Sequence, residues 1–181
     1  MSAPTSGDLR GTCFEGDSGL LNVIPKELIV KYNSSDMIIE MKTRSGKTTT
    51  IRGFTAEKPE RLRGPQFARV WGDELAAWQY GDETYDMMMM GLRLGDNPQF
   101  LWTTTPRPKE LVRRLIEKKP GRFIVRGSTF ENKSNLPDSF FKQLEQYEGT
   151  TLGRQELYGE LIDPEEAGII KRSWFRLWPA K

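Results

Sequence analysis

Between residues 37 and 54 two short apolar, β-branched runs flank a polar turn. Met37-Ile38-Ile39-Glu40-Met41-Lys42 and Thr49-Thr50-Ile51-Arg52 have strand character, and Arg44-Ser45-Gly46-Lys47 supplies turn chemistry, with Gly46 able to take a positive φ. This pattern predicts a β-hairpin. Residues 57–65 are charged and broken by Pro and Gly, which predicts a loop. A strand over 67–71 then stops at Gly72-Asp73-Glu74, and 73–95 reads as two helical pieces with Asp73 and Asp82 as N-caps and Gly95 just past an end. The Met run at 87–90 reads as helix core.

Further along, 99–102 predicts a second strand closed by Thr103-Thr104-Thr105-Pro106. Pro108 sits in the first turn of a helix whose apolar face is Leu111, Val112, Leu115 and Ile116. Residues 122–130 predict a third strand, 137–149 and 150–162 two more helices, and 163–181 an exit segment. Strands alternating with helices imply an α/β fold, a mostly parallel sheet flanked by helices with the hairpin attached near its start.

Composition narrows the chemistry more than the fold. The 181 residues are 36% hydrophobic, enough for one domain with a real core, or a domain plus a tail. Twenty-seven Lys+Arg against 25 Asp+Glu leave a net charge of +2, so any basic surface must be local. Histidine is absent from the sequence, which excludes His-dependent base catalysis, Cys/His zinc sites and His-metal nuclease designs. Chemistry must rest on carboxylates, Arg, Lys and hydroxyls. The single cysteine, Cys13, cannot form an internal disulfide and is expected as a small buried or half-buried side chain. No apolar run is long enough to span a bilayer and the N-terminus is unlike a signal peptide, which reads as cytosolic.

Gly46-Lys47-Thr48 matches the end of a phosphate-binding loop, but the first glycine of that signature is replaced by Met41, and the residues that follow are strand-like where the loop requires a helix. Asp73-Glu74 at a strand's carboxyl end can place one acid near a hydrated Mg²⁺ and the other beside an attacking water; an N-cap and a first-turn acid would look the same. Thr103, Thr104 and Thr105 stand where open α/β sheets collect ligands, or are a strand end with a cap. Arg61 and Arg63 in RLRG are candidate phosphate donors, or a solvated charge run. A carboxylate-metal nuclease through Asp73, Glu74, Asp82 and Asp86 is a weaker reading, because two-metal chemistry needs acids converging from several elements.

Five segments, CFEGDSGLLNVIP, EKPERLRGPQFARVWGDELAAW, GLRLGDNPQFLWTTTPRP, GSTFENKSNL and YEGTTLGRQELYGELID, together resemble, in order, the large subunit of tailed-phage terminases, the ATP-driven motors that package DNA into proheads. The resemblance implies an incomplete P-loop NTPase fold of the ASCE type. It implies that Asp73 and Glu74 are the Walker B acids, Asp73 on Mg²⁺ and Glu74 activating water. Thr103, Thr104 and Thr105 are then the motif coupling ATP hydrolysis to DNA movement, and Arg63, with Arg61 as the alternative, an arginine finger for a neighbouring subunit. The implied cofactors are ATP and Mg²⁺. The implied partners are double-stranded DNA, the terminase small subunit, the portal protein and a ring of large subunits in the host bacterial cytoplasm.

By the same resemblance the family's P-loop lies upstream of APTSGDLRGTCFEG and its nuclease domain beyond Lys181. Residues 1–160 are then expected to be part of the ATPase domain and 161–181 a link toward the nuclease. With the P-loop outside the sequence, the chain alone is expected to show weak or no ATPase and an exposed apolar sheet edge. A non-catalytic DNA-binding or assembly module and an independent NTPase using Gly46-Lys47-Thr48 are the competing readings.

Overall fold

The computed structural model describes residues 1–162 and divides into two compact units, 1–104 and 105 onward. The first unit holds both sheets. Strands β1 (Ser2–Ala3), β5 (Phe54–Thr55), β6 (Arg69–Gly72) and β7 (Gln99–Trp102) form a parallel sheet in the order β5-β1-β6-β7, while β2 (Ile29–Asn33), β3 (Ile38–Lys42) and β4 (Thr48–Arg52) form an antiparallel meander inserted between β1 and β5. The expected hairpin is therefore present, as the second half of a three-stranded sheet. Its turn closes through Thr43 O accepting from Gly46 N and Lys47 O accepting from Thr43 N, with Gly46 at φ +79°. Met37 falls outside the expected strand: it has left-handed φ of 53° and its carbonyl accepts from Gly53 N.

Between β1 and the meander the chain is helical. Thr5 and Asp8 form a reciprocal capping box at the start of α1 (Ser6–Asp8), which leads into a π-helical turn over Leu9–Phe14, and a short helix α2 (Leu20–Val23) follows. Leu9, Cys13 and Phe14 of the π turn are buried with Ala3, Met37 and Ile39, and Ile29, Tyr32, Met41 and Ile51 of the meander pack on them. The π turn thus joins the inner face of the meander to the sheet. Its widened backbone sends Cys13 toward the end of β6.

The stretch expected as two helices is a 3₁₀ turn over Leu75–Ala77 and the helix α3 (Gly81–Gly91). Neither Asp73 nor Asp82 is an N-cap: Glu74 and Tyr80 hold those places, and Asp82 lies in the first turn of α3, where an acid favours the positive end of the helix dipole. The helix also ends at Gly91, four residues before Gly95, because Phe67 pairs with this end: Phe67 N donates to Gly91 O and Leu94 N to Phe67 O. That pairing starts β6 at Arg69, two residues later than expected. Of the Met run only Met88 is core, 2% exposed, whereas Met90 is 67% exposed, as a one-sided helix face requires.

In the second unit, α4 (Glu110–Ile116) buries Leu111, Val112 and Leu115 as its spacing predicts. Helices α5 (Asp138–Leu144) and α6 (Thr151–Tyr158) follow a 3₁₀ segment over Thr129–Asn135, and Phe130 joins them by ring contacts with Phe141 and Tyr158. Thr150 caps α6 by accepting from Gly153 N, and Gly159 at φ +63° ends it. The third strand expected over 122–130 does not form. Residues 122–128 have no strand partner among the described residues, and Phe123 and Val125 are 92% and 93% exposed. Strand propensity needs a ladder and a face to pack on, and this segment has neither. The exit segment 163–181, with Trp174 and Trp178, lies outside the described residues.

Candidate functional site at the carboxyl ends of β6 and β7

Strands β6 and β7 run in register from Arg69↔Gln99 to Gly72↔Trp102, so the next pair along is Asp73 and Thr103. Thr103 N donates to Gly72 O at 2.9 Å, continuing the ladder, and Thr103 Oγ1 donates to Asp73 Oδ1 at 2.6 Å. Trp71 Nε1 donates to the same Thr103 hydroxyl at 3.3 Å. With the indole N–H filling an acceptor site on Thr103 Oγ1, the hydroxyl proton is left for Asp73. The other carboxylate oxygen, Asp73 Oδ2, lies 3.5 Å from Cys13 Sγ. Burial, and then the nearby Asp73 charge, push the Cys13 thiol up to about 12, so it stays protonated and can only donate.

Glu74 has φ 48° and ψ 48°, a left-handed conformation that costs a non-glycine residue about 1–2 kcal/mol. Its neighbours fix it there. Asp73 N donates to Ser2 O at 2.8 Å, Leu75 N to Thr103 O at 3.2 Å and Ala77 N to Glu74 O at 2.7 Å. Ala76 N donates to Thr104 Oγ1 at 2.9 Å, and Trp78 Nε1 to Asp73 O at 2.8 Å. Trp78 is completely buried, and its indole lies so close to Gly72 that a Cβ there would sit 2.8 Å from Trp78 Cη2. Gly72, the last residue of β6, is thus the residue that lets the indole reach under the turn.

The structure brings Asp73, Glu74, Thr103 and Thr104 to one strand-end corner. Thr105 is half-buried and heads the second unit. Arg61 lies in the 3₁₀ turn Pro59–Leu62 and Arg63 caps it; both are exposed. Cys13 is buried, as expected of it, but its contact with Asp73 and the roles of Trp71 and Trp78 had no signal in the sequence. An isolated cysteine and tryptophans in apolar runs carry no pattern for hydrogen bonds made across the fold.

Gly46-Lys47-Thr48 is no phosphate loop here: Lys47 is exposed in the hairpin turn and Thr48 pairs with Lys42 at the start of β4. An independent NTPase built on that tripeptide is ruled out. No three His, Cys, Asp or Glu side chains among the described residues are grouped to hold a metal, so Asp73, Glu74, Asp82 and Asp86 are not assembled as a two-metal centre. The Asp73 carboxylate beside the Thr103 hydroxyl nevertheless suits Mg²⁺, which typically takes one or two protein oxygens and completes its shell with water and substrate phosphates. No helix among the described residues is long and apolar enough to cross a membrane.

The sequence model of a family described as "Terminase large subunit, T4likevirus-type, N-terminal" matches residues 1–177. No curated protein matches the chain. Among solved structures the chain is similar to the large terminase from a thermophilic bacteriophage, with a TM-score of 0.68 at 16% identity, over 90% of this chain and 40% of that one. At that identity the likeness speaks for the α/β fold, and the chain spans less than half the length of the thermophilic phage's protein. With the match extending over nearly all of its residues, the chain belongs to the terminase large-subunit family, within the family's N-terminal part.

Proposed function

We propose that this chain is part of the ATPase of a viral DNA-packaging motor, with Asp73 and Glu74 as its Walker B acids and Thr103, Thr104 and Thr105 as its coupling motif. One observation carries the reading: Glu74 is held in a strained left-handed turn at the carboxyl end of a parallel strand, with the preceding Asp73 hydrogen-bonded to Thr103. Strain of this kind persists where the surroundings over-determine it, and it collects at sites of chemistry.

In this reading Mg²⁺ and ATP supply the reacting phosphoryl group and the charge that neutralises it. Asp73 holds the metal side, oriented by Thr103 Oγ1 and Cys13 Sγ. Glu74 orients and deprotonates water. Thr103 and Thr104 tie β7 to the Asp73-Glu74 turn, so a change at one strand end displaces the other, a route from hydrolysis to movement. Arg63, or Arg61, reaches from an exposed turn to the nucleotide of a neighbouring copy in a ring. The phosphate loop comes from another segment. Strand β7 is one of the two edges of the parallel sheet among the described residues, with Leu101 62% exposed, and an added strand could pair there. Residues 1–160 then belong to the ATPase domain, 161–181 lead toward a nuclease, and double-stranded DNA, the small subunit and the portal are the partners in the host cytoplasm.

A second reading, a non-catalytic DNA-binding or assembly module, draws on the hairpin position of the chain's one Gly-Lys-Thr. Mg·ATP hydrolysis separates the two. The chain alone is expected to be weak or inactive; joined to a phosphate-loop segment it is expected to hydrolyse ATP, and Glu74→Gln to reduce the rate by about 10²–10⁴-fold. Hydrolysis that is indifferent to Glu74→Gln would remove Glu74 from the mechanism.

A further inference from the structure

We propose that the outer face of the β2-β3-β4 meander grips the phosphate backbone of duplex DNA. The strand register decides which side chains share that face. Tyr32, Ile39 and Ile51 stand side by side across the three strands and, with Met41, face the core cluster around Leu9, Cys13 and Phe14. Alternate residues of a strand point to opposite sides. The outer face therefore carries Lys31, Glu40 and Thr50 in one row, Asn33, Ile38 and Arg52 in the next, and Lys42 with Thr48 in a third. Lys31, Lys42, Thr48, Thr50 and Arg52 are exposed, and Arg44 and Lys47 extend the same charge at the exposed hairpin tip.

Residues 29–52 hold five cations and two carboxylates, a net of +3, whereas the whole chain carries only +2. None of the five is in an ion pair with a described residue. The balanced bulk charge therefore hides local basic stretches: residues 107–126 hold eight cations against two carboxylates, but there Lys119 pairs with Glu117 and Arg122 donates to Arg114 O and Glu117 O, whereas the meander's five cations share one sheet and its hairpin tip without an ion pair to a described residue. Strands about 4.8 Å apart with a rise of about 3.4 Å per residue spread Lys31, Lys42 and Arg52 over roughly 10 by 14 Å. Duplex DNA carries a charge about every 1.7 Å along its axis, so such a patch meets several phosphates at once. The rows offer three cations, two hydroxyls and the Asn33 amide against one half-buried carboxylate, Glu40, with the half-buried Ile38 as their one apolar side chain. That composition suits phosphate oxygens better than a lipid interior or an apolar protein partner. The inference rests on the packaging reading in taking duplex DNA as the polyanion, and it locates where the DNA lies without involving the nucleotide site.

The test is binding of a fluorescent duplex of about 30 base pairs to the 181-residue chain, without nucleotide, between about 50 and 200 mM salt. Five phosphate contacts give a slope of log K against log salt near about −4.5. Combining Lys31→Gln, Lys42→Gln and Arg52→Gln is expected to weaken binding at least about tenfold and to flatten the slope by about 3. Removing three cations of the second unit, by Lys118→Gln, Lys119→Gln and Arg126→Gln, is expected to leave both unchanged. Thr50→Glu, one exposed substitution on the same face, is a second probe should the triple variant fold poorly, and is expected to weaken binding too. The assignment is overturned if the unaltered chain does not bind at the lowest salt, if the two triple variants lose equal affinity, or if Thr50→Glu changes nothing. It is also overturned if the face variants lose binding to anionic phospholipid vesicles as strongly as to DNA. Because no ATP is present, inactivity of the nucleotide site does not alter any of these outcomes.

Discussion

The chain contains the tripeptide Thr-Thr-Thr twice, and the two copies have different lives. Thr48-Thr49-Thr50 opens β4, exposed and paired with β3 through backbone alone. Thr103-Thr104-Thr105 follows β7, where the first hydroxyl donates to Asp73 and the second accepts from Ala76 N. Identical side chains are inert along an antiparallel strand and wired at the end of a parallel one. In a parallel sheet the carboxyl ends of neighbouring strands meet at one side, so the residues leaving β6 and β7 must find one another, whereas the meander's outer rows face solvent.

Substitutions at the two regions should therefore diverge. The largest difference is expected between glycines. Gly72→Ala drives a Cβ into Trp78 and Phe100 and should cost about 1–3 kcal/mol in denaturant unfolding. Gly46→Ala meets no atom but keeps a positive φ, and should cost about 1 kcal/mol. Next come the threonines. Thr103→Val removes the donor to Asp73 and the acceptor of Trp71, for a loss of about 1 kcal/mol, while Thr49→Val should stay within about 0.5 kcal/mol. Equal effects of the two would erase the contrast.

Smallest near neutral pH, where it vanishes, is a pH dependence that appears only in alkaline solution. The Cys13 thiol ordinarily ionises near 9 and in the fold near 12. Between those values the unfolded state binds fewer protons, so stability falls as pH rises from 9 to 12, and below 9 it is independent of pH as far as this thiol is concerned. Subtracting the profile of Cys13→Ala isolates this term. Asp73→Asn, which removes the neighbouring charge, should speed labelling of Cys13 by a thiol reagent at a fixed alkaline pH. An unchanged labelling rate would contradict the contact between the two side chains.

The chain's own pattern was enough for the elements whose neighbours in sequence are also their neighbours in space. The hairpin with its Gly46 turn and the buried stripe Leu111, Val112 and Leu115 of α4 are local periodicities, and local backbone geometry realises them. The resemblance borne by the five segments likewise points to the family whose model matches residues 1–177. Tertiary structure decided the rest. Residues 122–130 have the composition of a strand but join no ladder among the described residues, and Phe123 and Val125 are exposed. Asp73 had the credentials of an N-cap, and became instead the acceptor between Thr103 and Cys13, residues 30 and 60 positions away. Composition and spacing fix how a segment can fold upon itself; which distant hydroxyl, thiol or indole completes a carboxylate is set only when the strands are placed side by side.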